Sequence, residues 1–121
     1  MIYNKYDALQ SLKFGADWSW VGFAYSDLNW QDSSTKPTES AIDAELTRLT
    51  NAEPMRLLRV ERDAKLASCD WTQSRDVTLS NDVAWKTYRQ ALRDLPASAN
   101  PTVDSDGNLN ASSVTWPTKP S

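Results

Sequence analysis

The sequence predicts an α+β fold: a small N-terminal β-hairpin, a central helical hairpin and a short extended C-terminal tail. Three observations carry this. Asp17-Trp18-Ser19-Trp20-Val21-Gly22 and Tyr25-Ser26-Asp27-Leu28-Asn29-Trp30 place bulky residues at the strand period: Trp18 and Trp20 share a face of the first strand, and Leu28 and Trp30 share a face of the second. From Thr38 onward, apolar residues recur at helical spacing. Trp85, Tyr88, Leu92 and Leu95 then form a second helical stripe.

The elements follow in order. Tyr6, Leu9 and Leu12 sit at helical spacing, so the segment 2–12 reads as a helical turn or a short strand. Gly22-Phe23-Ala24 supplies a turn between the two strands, and 31–36 is a polar linker. These residues, 1–36, make a hairpin module too small to stand alone in water. Residues 37–121 make the helical module. Thr38 opens its first helix after Pro37, with Glu39 in the first turn, where the helix dipole favours acid. Ile42, Leu46 and Leu49 start a seam that passes Glu53 and resumes at Leu57, Val60, Ala64, Ala67 and Trp71. Pro54 lies inside it and predicts either a kink or two helices, about 38–52 and 54–69. Ser80 or Asn81 caps the next helix, and Pro96 is expected to stop it. Residues 97–113 read as loop, with a turn at Asp106-Gly107, before Val114-Thr115-Trp116-Pro117 extends.

Composition excludes several functions. The 121 residues carry a net charge of −3 and no basic stripe, which argues against nucleic acid. No apolar run approaches a membrane span. Cys69 is the single cysteine, so no intrachain disulfide forms and a reducing cytoplasm suits the chain. Histidine is absent, which removes the commonest general base and metal ligand. Three scattered glycines make no phosphate loop. Asp104-Ser105-Asp106-Gly107-Asn108 has no glutamate where a calcium loop would need one, and reads as a solvated turn. No catalytic residue, metal or cofactor is expected.

What remains is a surplus of large rings: six Trp in a chain of modest aliphatic content. Trp71, Trp85 and Trp116 stand at element junctions and serve either packing or docking. Trp18, Trp20 and Trp30 lie on short strands and suit contact with a protein partner. Arg89 and Arg93 share a helix face, where Asp94 and Asp63 could bridge them, or where a partner's carboxylate could bind. The candidate partner-binding set is therefore Trp18, Trp20, Trp30, Trp71, Trp85, Tyr88, Arg89 and Trp116.

The order of four motifs resembles a known family. Arg59-Val60-Glu61-Arg62-Asp63 is followed by Asp70-Trp71-Thr72-Gln73, then by the run from Trp85 to Pro96 (W-K-T-Y-R-Q-A-L-R-D-L-P), then by Val114-Thr115-Trp116-Pro117. This series is similar to the C-terminal module of bacteriophage tail-fibre assembly chaperones and tail assembly chaperone-like proteins. The N-terminal part, with Asp17-Trp18 and Leu28-Asn29-Trp30, looks like short phage proteins encoded beside tail fibres. The resemblance implies a non-enzymatic protein of the host cytoplasm. It would bind the C-terminal end of a trimeric tail fibre, assist its folding and trimerisation, and in some cases stay in the virion tail. A small structural subunit of the tail is the alternative, and self-association on the fibre is conceivable. The family's motif positions Arg62, Asp63, Trp71, Trp85, Tyr88, Arg89, Leu92, Trp116 and Pro117 either define the fold or contact the partner.

Overall fold

The computed structural model describes all 121 residues. It is α+β, with three α-helices and one two-stranded antiparallel hairpin. Cα packing divides the chain into two compact units, Met1–Ala52 and Glu53–Ser121. Sequence composition puts a module boundary in the linker before Pro37; the division by packing falls later, inside the long helix.

The first unit opens with α1, Lys5–Leu12, which resolves the strand-or-helix choice for this segment. Asn4 and Asp7 are the cause. The Asn4 carboxamide accepts from the backbone N–H groups of Tyr6 and Asp7, and Asp7 accepts from the N–H of Asn4. This reciprocal box fills donors that a helix start otherwise leaves open. Strand β1, Trp18–Trp20, then pairs with β2, Leu28–Trp30, in the register Trp18↔Trp30 and Trp20↔Leu28. The connection is longer than the expected Gly22–Ala24 turn, because a 3-10 turn at Tyr25–Asp27 precedes β2. Gly22 holds φ +122°, and a Cβ there would collide with the Asp27 side chain.

The register puts Trp18, Trp20, Leu28 and Trp30 on one face. That face is filled: the three Trp residues pack against Ala8, Leu9, Leu28 and Ile42. The three Trp residues are half-buried there. Helix α1 and the first turns of the long helix cover it, because Leu9 and Ile42 bring apolar faces of their own.

Helix α2, Glu39–Ser68, is continuous. Thr38 caps it, its hydroxyl accepting from the N–H of Ala41. The two-helix alternative at Pro54 does not occur. A proline removes one ladder hydrogen bond, and good helix formers on both sides carry the rest. The apolar seam does change beyond Pro54. Leu58 and Cys69 are buried, with Leu66 packed beside Cys69, whereas Val60 is 57% exposed and Trp71 53%. The burial stripe is Leu58, Arg62, Leu66 and Cys69, and the predicted Val60–Ala64–Ala67–Trp71 seam is corrected. Extending one register across the proline puts the wrong face inward.

In the second unit, a 3-10 turn at Asp70–Gln73 leads to α3, Asp82–Ser98. Trp85, Tyr88 and Leu92 face the core, as their spacing predicts. Pro96 does not stop α3, which runs on to Ser98. In the last turn a proline removes a single bond and disturbs little beyond it. Residues 99–110 form a loop closed by a bridge between Val103 and Leu109. The Asp104 carboxylate accepts from the N–H groups of Asp106 and Asn108, so the acidic stretch is a self-bonded turn. No cluster of metal-ligating side chains occurs. No helix is long and apolar enough to cross a membrane.

Candidate partner-binding site

The second unit gathers five of the candidate residues. Trp71, Trp85 and Tyr88 form a ladder of edge-on rings, with centroids 6.2 Å and 5.9 Å apart. Trp85 and Tyr88 are buried, whereas Trp71 at the outer end is half exposed. Burial raises the Tyr88 phenol above its ordinary pKa, with Cys69 adding to the effect.

Arg89, next to the ladder, is 8% exposed and joins α3 to the end of α2. Nη1 donates to the Leu66 carbonyl at 2.9 Å and lies 3.1 Å from the Cys69 Sγ; Nη2 donates to Asp70 at 2.8 Å. Burial works against the charged guanidinium. The hydrogen bonds to Asp70 and Cys69 outweigh that and hold it above the usual arginine range. Asp70 is thus its partner, and the expected bridges to Asp94 and Asp63 do not form. Asp94 accepts from Gln90, and Asp63 pairs with Arg62. Arg89 thus shares the Leu66 carbonyl with the Cys69 N–H and ties α3 to the end of α2. Trp116 packs on the same cluster, with the Lys65 ammonium 4.9 Å from its ring centroid. Beyond it, Asn81 donates to an oxygen of Ser121, holding the chain end near the start of α3.

In the first unit, Trp18, Trp20 and Trp30 meet in the hairpin core. Two of their indoles also brace loops: Trp20 donates to the Ala24 carbonyl and Trp30 to that of Ser34. The large apolar side chains that do reach solvent are others. Phe14, Val21 and Phe23 are 87%, 88% and 93% exposed, and Val83 on α3 is 77% exposed. Sequence periodicity missed them because they sit in turns or on an outer helix face; Gly15 and Gly22, each beside one of the Phe residues, were the available signal.

Two carboxylates make this unit sensitive to acid. Glu45 on α2 accepts from Arg48 and from Ser11 of α1, and those bonds, Arg48's first, lower its pKa below the ordinary 4.5. Asp32 accepts from the Ser34 hydroxyl and from the N–H groups of Ser34 and Asp17, which lowers it below 3.8. A carboxylate depressed in the folded state binds fewer protons than in the unfolded chain. Its stabilisation is complete above the unfolded pKa and is lost as pH falls through the folded one. The first unit should therefore hold steady from neutrality to about pH 5 and lose stability below that. Glu45→Gln should be less stable at neutral pH and show a shallower acid decline. Urea midpoints at several pH values test this; parallel pH profiles for wild type and variant would contradict it.

The geometry of the second unit is an aromatic ladder ending at a half-exposed Trp71, next to a buried Arg89 that binds the end of α2. A family model described as phage tail assembly chaperone protein matches residues 55–121, more than half of the chain, and the chain belongs to that family. No curated protein and no solved structure matches it. The match begins two residues past the division at Ala52 and Glu53, so the family's module coincides with the second unit. Its role is chaperoning in phage tail assembly, through interaction with phage tail proteins.

Proposed function

We propose that this chain is a non-enzymatic chaperone of the tail fibre, acting in the host cytoplasm. It binds the C-terminal end of the trimeric fibre and assists folding and trimerisation. The observation that carries this is the coincidence of the family match with a compact unit whose aromatic ladder reaches the surface at Trp71. Trimeric fibres pair strands over long sequence separations, which is slow and leaves strand edges exposed meanwhile. A half-exposed indole backed by a fixed ring gives such an edge a rigid apolar contact. Beside it, Thr72, Ser74, Thr78 and Asp82 line a cavity of about 350 Å³ that offers polar partners for main-chain groups. Val83, adjoining Asp82 on α3, adds exposed apolar surface.

Co-expression tests the reading. The cognate fibre protein should give soluble trimer with this chain and little without it. Equal trimer yield from fibre alone would exclude chaperoning, and a fixed number of copies in purified virions would then indicate a structural subunit. Trp71→Ala should lower fibre capture at least about tenfold, as loss of an aromatic anchor does. Its thermal midpoint should stay near wild type, because the side chain is half in water already. Unchanged capture would remove Trp71 from the contact.

A further inference from the structure

The first unit lies outside the family match and contains a site of different chemistry. The Lys5 ammonium is shut off from solvent and has no hydrogen-bond partner. Three rings surround it instead, with Trp20 at 4.6 Å, Phe23 at 5.3 Å and Tyr6 at 5.5 Å from centroid to Nζ. The walls are fixed. Tyr6 and Trp20 meet edge-on at 80°, the Tyr6 hydroxyl donates to the Gly22 carbonyl, and the Trp20 indole donates to that of Ala24. Those two bonds pin the backbone on either side of Phe23, which stays 93% exposed. A small cavity of about 50 Å³ adjoins the enclosure, and Glu39 and Asp43 from α2 line it together with Lys5. Ring faces and carboxylates both attract cations. The unit as a whole carries four basic and seven acidic side chains, so the chain's net charge of −3 resides there.

We propose that this enclosure is a cation-recognition site, filled in the free chain by Lys5, that receives an arginine side chain from a partner protein. Lys5 is a poorly satisfied occupant. An ammonium has three donors, and this one uses none, so release into water restores hydrogen bonds that the enclosure denies it. A guanidinium suits the place better. It stacks flat on a ring while its edge donates to carboxylates such as Glu39 and Asp43. Phe23 then acquires a cover, which accounts for a ring held so far into solvent. The inference stands apart from the fibre contact assigned to the second unit, since it uses only residues of the first.

The test uses the full chain and N-acetyl-arginine amide as probe, with the uncharged N-acetyl-citrulline amide as control. Shifts of the Trp20 indole N–H in NMR spectra report the site, and the Trp71 indole serves as internal reference. Lys5→Ala should bind the arginine probe about tenfold more tightly than wild type, through loss of the competing cation. The citrulline probe should leave Trp20 unmoved, and Phe23→Ala should remove the response in either background. A folded Lys5→Ala protein whose Trp20 signal ignores the arginine probe would overturn the proposal. So would an equal response to citrulline, or a response that survives Phe23→Ala. If Lys5→Ala fails to fold, wild type against Phe23→Ala decides: weak binding lost with the ring supports the site, and no difference between them refutes it.

Discussion

Replacing Arg89 with Met is expected to lower the thermal midpoint of the second unit by roughly 10 °C, equivalent to about 2–4 kcal/mol. The side chain is buried, and its nearest groups are the Leu66 carbonyl, the Cys69 sulfur and the Asp70 carboxylate. Methionine fills most of the volume and returns none of the hydrogen bonds. The Leu66 carbonyl keeps the bond from the Cys69 N–H at 3.2 Å, so the cost lies in the lost charge-assisted bonds that tie α3 to the end of α2. Asp70→Asn should cost far less, about 1 kcal/mol or under, because Asp70 is 65% exposed and water replaces the lost charge. Arg89→Lys should fall near the Met variant, since one ammonium cannot reach three acceptors spread along a planar fork. Thermal unfolding followed by circular dichroism compares the three. A Met variant within about 0.5 kcal/mol of wild type would show that the Arg89 contacts add nothing net.

The same residue shows how far the sequence could be followed. Arg89 and Arg93 were visible as two charges sharing one helix face; which of the two turns inward depends on where α2 ends. That end is set by Cys69 and the turn Asp70–Gln73, and it places Asp70, not Asp63 or Asp94, within reach. Periodicity served best where one face alone was buried, as on α3, where Trp85, Tyr88 and Leu92 turn inward together. It failed along α2, because a register carried across Pro54 exchanges Leu58 and Leu66 for Val60 and Ala64. The hairpin strands were legible from Trp18, Trp20 and Leu28, but what covers them was not. Helix α1 is fixed by the Asn4–Asp7 box, a local hydrogen-bond pattern that apolar spacing does not reveal. Residues offered for partner contact because they are aromatic are mostly packed residues, with Trp71 the one large exposed ring among them. The chain's other exposed rings are the two phenylalanines of the turns.

Cavities cut into the two cores should act on separate sets of tryptophans. Leu9 is fully buried in the first unit and Leu92 in the second. Truncating either to alanine should cost about 3–5 kcal/mol, at the upper end for a leucine with no solvent contact. Each core holds three of the six tryptophans: Trp18, Trp20 and Trp30 pack beside Leu9, whereas Trp85 and Trp116 pack with Leu92 and Trp71 leans on Trp85. Indole N–H signals in NMR spectra therefore report each unit separately. Leu9→Ala should broaden or shift the first set and leave the second near its wild-type positions, and Leu92→Ala should do the reverse. Both sets moving in both variants would mean that the units share one cooperative transition through α2. The pair also divides the function. If the second unit carries the fibre contact, Leu92→Ala should abolish soluble trimer in co-expression. Leu9→Ala should keep the trimer while losing the response of Trp20 to arginine, because Tyr6 and Trp20 are held in place by the core that Leu9 fills. Loss of trimer in Leu9→Ala alone would move the fibre contact to the first unit.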